Sequence, residues 1–217
     1  MEKKYRWDIA ICLLAPFILS SIIVYLLFLD NSVMYWIREL VMLFACFFEC
    51  ITLYEYENSK SKDKGLVSGL VISVSISLFY LAGYTISFGK ISNDTLRVCS
   101  LGIGSILVLV GVILRYAAKK QLRNNFTQSV QIVDNHRLIK DGIYSMVRHP
   151  AYVGTFFIIL GAVFMYGNVV MFVLILLILP LGIKRINYEE SLLVKQFGEE
   201  YTEYKQHVNR FVPKRNI

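Results

Sequence analysis

Residues 9–29 pass twenty-one positions without a charged side chain. At about 1.5 Å per residue, a helix of that length crosses the ~30 Å hydrocarbon layer of a bilayer. Comparable blocks lie at about 33–54, 66–88 and 98–118, and a longer one runs from Tyr152 to Ile183. They are continuous apolar runs rather than stripes at helical or strand period. Hydrophobic residues make up 56% of the chain, and mean hydropathy is +0.53. In lipid, backbone polar groups must be satisfied within the segment, which selects helices for such blocks. The expected fold is an all-α integral membrane protein, a bundle of about five to six transmembrane helices.

The last block is too long for one span and short for two. Gly167-Asn168 in its middle is a turn signal, so two helices at about 151–166 and 169–184 form a C-terminal hairpin. Beyond it, Ile186, Leu193, Phe197, Tyr201, Tyr204, Val208 and Phe211 recur at intervals of three, four and seven. They mark an amphipathic tail helix on the membrane surface or folded back under the bundle. Gly65 and Gly69, and Ser73 and Ser77, form small-residue faces for close helix packing, while Gly102, Gly104 and Gly111 thin the fourth span. Within the second span, Arg38 and Glu39 lie near its start, and Glu49 either lines a polar cavity or pairs with another helix. With six passes, all of the 23 Lys and Arg except Arg38, Lys90 and Arg97 fall on one side. That asymmetry puts both termini and the tail in the cytoplasm. Residues 1–111 form the N-terminal transmembrane part. Residues 112–217 form a core of cytoplasmic segment, hairpin and tail.

The net charge of +7 is explained by cytoplasmic flanks and anionic headgroups, and no nucleic-acid partner is expected. Cys12, Cys46, Cys50 and Cys99 lie in or beside apolar blocks with no CxxC spacing, so neither a disulfide framework nor a metal site is expected.

One polar stretch meets the hairpin: Gly142-Ile143-Tyr144-Ser145-Met146-Val147-Arg148-His149-Pro150-Ala151-Tyr152-Val153-Gly154. Pro150 favours an extended His149 and then occupies the first helical turn. The N–H groups from Ala151 to Gly154 would sit at a positive helix end that suits an anionic or electron-rich ligand group. Gly154 permits close backbone approach. A plainer reading makes Arg148 a cytoplasmic anchor and Tyr144 and Tyr152 interfacial aromatics. Arg185 and Glu189 lie four apart at the foot of the last apolar block. They form a surface ion pair, or they divide the labour: an arginine fork for a carboxylate and a carboxylate for a ribose or ammonium.

Several segments resemble the isoprenylcysteine carboxyl methyltransferases and their prokaryotic relatives, which share a C-terminal core with phospholipid methyltransferases. They are Leu138-Ile139-Lys140-Asp141-Gly142-Ile143-Tyr144, Arg148-His149-Pro150-Ala151-Tyr152-Val153-Gly154, Glu189-Glu190, Phe197-Gly198-Glu199-Glu200-Tyr201-Thr202-Glu203-Tyr204 and Arg210-Phe211-Val212-Pro213. The resemblance covers about residues 112–213. It implies methyl transfer from S-adenosyl-L-methionine at the membrane, to a lipophilic acceptor entering from the bilayer among membrane lipids. The cofactor residues it implies are Gln131, His136, Arg137, Leu138, Ile139, Tyr144, His149, Pro150, Ala151, Tyr152 and Glu189, and Gly154 joins these candidates for the close approach it permits. Arg185 falls on the family's substrate-orienting arginine. The spacing from Gln131 to His136 is shorter than in the eukaryotic enzymes, which makes Gln131 the least secure of these.

A sulfonium methyl is already activated and a carboxylate acceptor is already a nucleophile, so positioning and water exclusion would carry the reaction. An amine or thiol acceptor would want a base, with Glu190 or His149 as candidates. No GxGxxG follows a strand, so a Rossmann-type site is not expected. Two other classes stand beside this reading: an NADPH-dependent sterol-type reductase and a non-catalytic membrane scaffold.

Overall fold

The computed structural model describes residues 18, 19, 22, 33–56, 93–122, 138–167 and 169–214. These contain α1 (Val33–Tyr56), α2 (Asp94–Leu122), α3 (Ile143–Met146), α4 (Pro150–Tyr166), α5 (Val169–Phe197) and α6 (Glu199–His207). No strand occurs among the described residues; a single parallel bridge joins Val147 and Asn209. The span expected at 66–88, with its glycine and serine pairs, lies outside the described residues, as does nearly all of the span expected at 9–29.

Among the described residues, α2 is the one helix long and apolar enough to cross a membrane by length and composition. The Asn93 side-chain oxygen accepts the Leu96 N–H at 3.0 Å, and Asp94 in the first turn and Lys119 and Lys120 in the last complement the helix dipole. The helix runs unbroken through position 111, so the N-terminal and C-terminal parts of the chain share it. As expected, a helix starts on Pro150 and a turn follows it: α4 runs to Tyr166 and is capped by Gly167 with φ 57. There the Gly167 N–H donates to the Val163 and Phe164 carbonyls, each at 3.0 Å.

Helices α2 and α4 are held together by glycine. Gly104 faces Gly161 and Gly111 faces Gly154, and any Cβ added at these four positions would lie 2.5–2.7 Å from a carbonyl oxygen of the facing helix. With no hydrophobic drive between helices in lipid, such close backbone approach is what associates them. The Ser100 hydroxyl also donates to the Phe164 carbonyl at 2.6 Å. From α1, Tyr35, Met42 and Ala45 complete the core with Leu101, Val108, Val112, Ala162, Met165 and Tyr166. Gly161→Ala should therefore destabilise the bundle by about 1–3 kcal/mol. At Gly102, which has nothing within 4 Å of an added Cβ, alanine should be neutral or slightly stabilising. Unfolding of the two variants in detergent checks this; equal stability would refute the glycine contact.

The second hairpin helix does not end near residue 184. It runs through Pro180 to Phe197, with no proline or glycine between Gly182 and Gly198 to end it. Gly198 has φ 54, a value that suits glycine, and the chain reverses there into α6. Tyr201, Tyr204 and Val208 then pack with Leu138, Leu193 and Phe197. The tail stripe is thus turned inward upon the chain.

Candidate active site

The hairpin, the α3 segment and the returning tail converge around His149. Segments 147–149 and 208–210 lie side by side: the Arg148 N–H donates to the Asn209 carbonyl at 2.9 Å and the His149 N–H to the Arg210 carbonyl at 3.1 Å. The Tyr204 hydroxyl donates to the Tyr144 carbonyl. Beneath, the Gln121 side chain brackets the α3 entry, donating to the Asp141 carbonyl and accepting the Ile143 N–H at 3.1 Å. Gly142 turns there with φ 55.

At the mouth of the hairpin, Tyr152 links α4 to α5. Its hydroxyl donates to Glu189 Oε2 at 2.8 Å and accepts from Arg185 Nε at 3.1 Å. The expected Arg185–Glu189 helix face is therefore real, with the Tyr152 hydroxyl inserted between the two. The His149 and Tyr152 rings meet edge to face at 5.7 Å, and Phe211 lies 6.3 Å from His149.

Behind this sits Glu190, only 3% exposed and beyond the apolar part of α5. Its Oε1 accepts from Arg148 Nε at 3.1 Å and Nη2 at 2.9 Å, from Arg210 Nε at 3.2 Å and stands 3.1 Å from His149 Nε2. Its Oε2 accepts from Arg210 Nη2 at 2.7 Å and lies 3.7 Å from Lys205 Nζ. Arg148 also donates to the carbonyls of Lys205, at 3.1 Å, and Val208. Burial pushes the Glu190 carboxyl up, but hydrogen bonds from His149, Arg210 and Arg148 outweigh it and hold the group well below the usual carboxylate range. A carboxyl depressed on folding stabilises the fold fully above its ordinary value of 4.5, and that contribution drains away as the pH falls from there toward the folded value. The unfolding midpoint should thus drop on acidification below about pH 4.5. Glu190→Gln should flatten that fall, and an unchanged acid slope would refute the assignment.

These contacts reassign three residues. Glu190 is no free base: its oxygens are taken by donors and its proton affinity is low. Arg148 is no surface anchor: its side chain is 7% exposed and spent on Glu190 and the tail. Gly154 serves the helix contact with Gly111 and the Arg115 side chain, which occupies the space a ligand would need. The expected row of donors at the start of α4 is also partly used, since the Tyr152 and Val153 N–H groups both point to the His149 carbonyl at 3.1 Å.

Residues 104–195 match the family model described as the isoprenylcysteine carboxyl methyltransferase (ICMT) family. The match covers a little under half of the chain. A probable protein-S-isoprenylcysteine O-methyltransferase of Oryza sativa subsp. indica is 36% identical over 51% of this chain and 60% of its own length. The protein-S-isoprenylcysteine O-methyltransferase of Schizosaccharomyces pombe is 39% identical over 48% of this chain and 45% of its own. That of Homo sapiens is 37% identical over 51% and 40%. The matched stretch thus spans about half the length of these curated relatives. A solved eukaryotic intramembrane Ras methyltransferase, ICMT, shares the fold with a TM-score of 0.51 at 20% identity, covering 94% of this chain and 97% of that one. The described residues share the all-helical fold of that intramembrane protein.

Within the matched stretch, His149, Pro150, Ala151, Tyr152, Arg185 and Glu189 converge at the mouth between α4 and α5. Leu138 packs under the tail and Ile139 is half-buried beside it in sequence. Tyr144 is buried, its hydroxyl directed to the Ala118 carbonyl at 3.4 Å, so any role toward a ligand falls to its ring and backbone. Gln131, His136 and Arg137 lie outside the described residues. Residue-by-residue reading missed Arg210, Gln121 and Arg115, whose guanidinium donates to Thr155 and, at 3.4 Å, to the Ala151 carbonyl. The closing Arg210-Phe211-Val212-Pro213 run was the available signal for Arg210.

Proposed function

We propose that this chain transfers a methyl group from S-adenosyl-L-methionine to the carboxylate of a lipophilic acceptor at the cytoplasmic edge of the membrane. An S-prenylated cysteine is the favoured acceptor, by likeness to the relatives named for that reaction. The observation that carries the reading is the Arg185–Tyr152–Glu189 chain of hydrogen bonds across the mouth of the apolar hairpin. It sets a half-buried carboxylate and an exposed guanidinium side by side where a soluble cofactor and a lipid-borne acid can both reach. Residues 112–217 are the proposed catalytic core.

The donor set suits the cofactor. Glu189 offers a carboxylate for ribose hydroxyls or an ammonium. The His149, Tyr152 and Phe211 rings offer an aromatic corner for a purine or a sulfonium. The Tyr201 hydroxyl is buried without a partner among the described residues. Bound adenosylmethionine would supply the activated methyl group. Arg185 would aim the acceptor carboxylate with its planar fork. Tyr152 steadies both Arg185 and Glu189, and the hairpin excludes water from the reacting pair. A carboxylate acceptor is ionised near neutral pH and needs no base. That agrees with a Glu190 too acidic to serve as one, and it places N- or S-methylation second.

Methyl-labelled adenosylmethionine should be incubated with membranes carrying the chain and an S-prenylated cysteine. The expected product is a labelled, alkali-labile ester. An alkali-stable product would move the acceptor to nitrogen or sulfur. Binding of NADPH without binding of adenosylmethionine would overturn the reading in favour of a reductase.

A further inference from the structure

We propose that Glu190 and Arg210 are positioning residues for His149: together with Arg148 they hold its ring in the tautomer protonated at Nε2 and so leave Nδ1 as the nitrogen offered to the methyl donor. The inference rests on the proposed donor site but adds residues to which that reading gave no task.

An ionised carboxylate accepts hydrogen bonds and cannot donate one. Glu190 is ionised, with Arg148 and Arg210 pressed on both of its oxygens. His149 Nε2, 3.1 Å from Oε1, must therefore carry the proton that bridges them. The ring is 4% exposed, and the Arg148 and His149 N–H groups are pinned to the tail, so it has little room to turn over. His149 is also the residue preceding the first turn of α4, yet its side chain does not cap that helix. Nδ1 is thereby kept from the common use of a side chain at that position. A histidine whose one nitrogen is fixed by a carboxylate has its second nitrogen defined in both role and direction, as in metal sites. In the neutral ring that second nitrogen is an acceptor, which suits a ribose hydroxyl or an amino group of the donor.

Arg210 adds a condition. It comes from the tail that zips beside residues 147–149, so the His149 constraint is complete only when the tail is docked. Arg210 is also partly exposed, its side chain at 38%, and can be removed with less risk to folding than Glu190.

The experiment uses the full chain in detergent with ring-¹⁵N histidine. The three histidines are His136, His149 and His207, and His149→Gln assigns the signal. Wild type at mildly alkaline pH, without ligand, should show Nε2–H and an unprotonated Nδ1. Glu190→Gln presents an amide that both donates and accepts, and should populate both tautomers. Arg210→Ala should weaken adenosylmethionine binding roughly tenfold, in the range of supporting-shell changes elsewhere, and Arg210→Lys should restore part of it. A merely structural Arg210 would lower the unfolding midpoint without moving the His149 signals. A wild-type ring protonated at Nδ1, a tautomer unmoved by Glu190→Gln, or unchanged donor affinity in Arg210→Ala overturns the inference. Failure of the wild type to bind adenosylmethionine instead overturns the methyltransferase reading, and the ligand-free tautomer measurement still reports on its own.

Discussion

Glu190→Ala should cost about 3–5 kcal/mol and release the tail, the usual consequence of deleting one partner of a buried ion pair. The substitution strips an acceptor from Arg148, His149 and Arg210 at once. Arg148 suffers most: its side chain is 7% exposed, and it would keep only the carbonyls of Lys205 and Val208. Arg210 and Lys205 are more exposed and would recover water, so they contribute less. Against a typical total of about 5–15 kcal/mol, the loss is large. Limited proteolysis should show early cleavage in 199–214, and denaturant unfolding should show the full loss. The exposed Lys140–Glu200 pair at 2.9 Å is the contrast, and removing it should change little. A Glu190→Ala chain as stable as wild type and as resistant in its tail would sink the clamp.

That cluster also shows where sequence reasoning stops. The apolar blocks, the glycine turn at Gly167 and the proline start at Pro150 are local signals, and both ends of α4 were legible from them. The aromatic stripe of the tail was legible as a face, but periodicity carries no information about where a chain turns back. The reversal depends on Gly198, a single residue inside a charged run. Once α6 folds back, Arg210 comes from twenty positions beyond Glu190 to share its carboxylate with Arg148, forty-two positions before it. Nothing in the local pattern at Arg148 separates a buried clamp from a membrane-edge anchor. Gly154 shows the reverse error. Its small size was read as room for a ligand, whereas the facing Gly111 and Arg115 already fill that room. Arg185 and Glu189 were legible because helical spacing alone puts them on one face. What their spacing left out was Tyr152, which only the packing of α4 on α5 brings between them.

Arg185→Ala should lower methyl transfer by about 10²–10³-fold while leaving adenosylmethionine affinity within about twofold, since misplacing a reacting group by an ångström already costs on the order of 10²-fold. The separation follows from the contacts. Arg185 is exposed at the mouth and meets the proposed donor side at the Tyr152 hydroxyl. Tyr152 keeps its bond to Glu189 when Arg185 is gone, so the carboxylate facing the donor stays in place. What is lost is the fork that would hold the acceptor carboxylate in line. Arg185→Lys keeps the charge but not the planar two-point grip, and should recover only part of the rate. Tyr152→Phe breaks the link itself. It should weaken both donor binding and transfer, because Glu189 and Arg185 lose their shared partner together. Initial rates with labelled donor, alongside direct binding of unlabelled donor, distinguish these variants. Full activity in Arg185→Ala would remove it from the acceptor site. A parallel loss of donor affinity would instead assign Arg185 to the cofactor, with the acceptor carboxylate then left to another cation at the mouth.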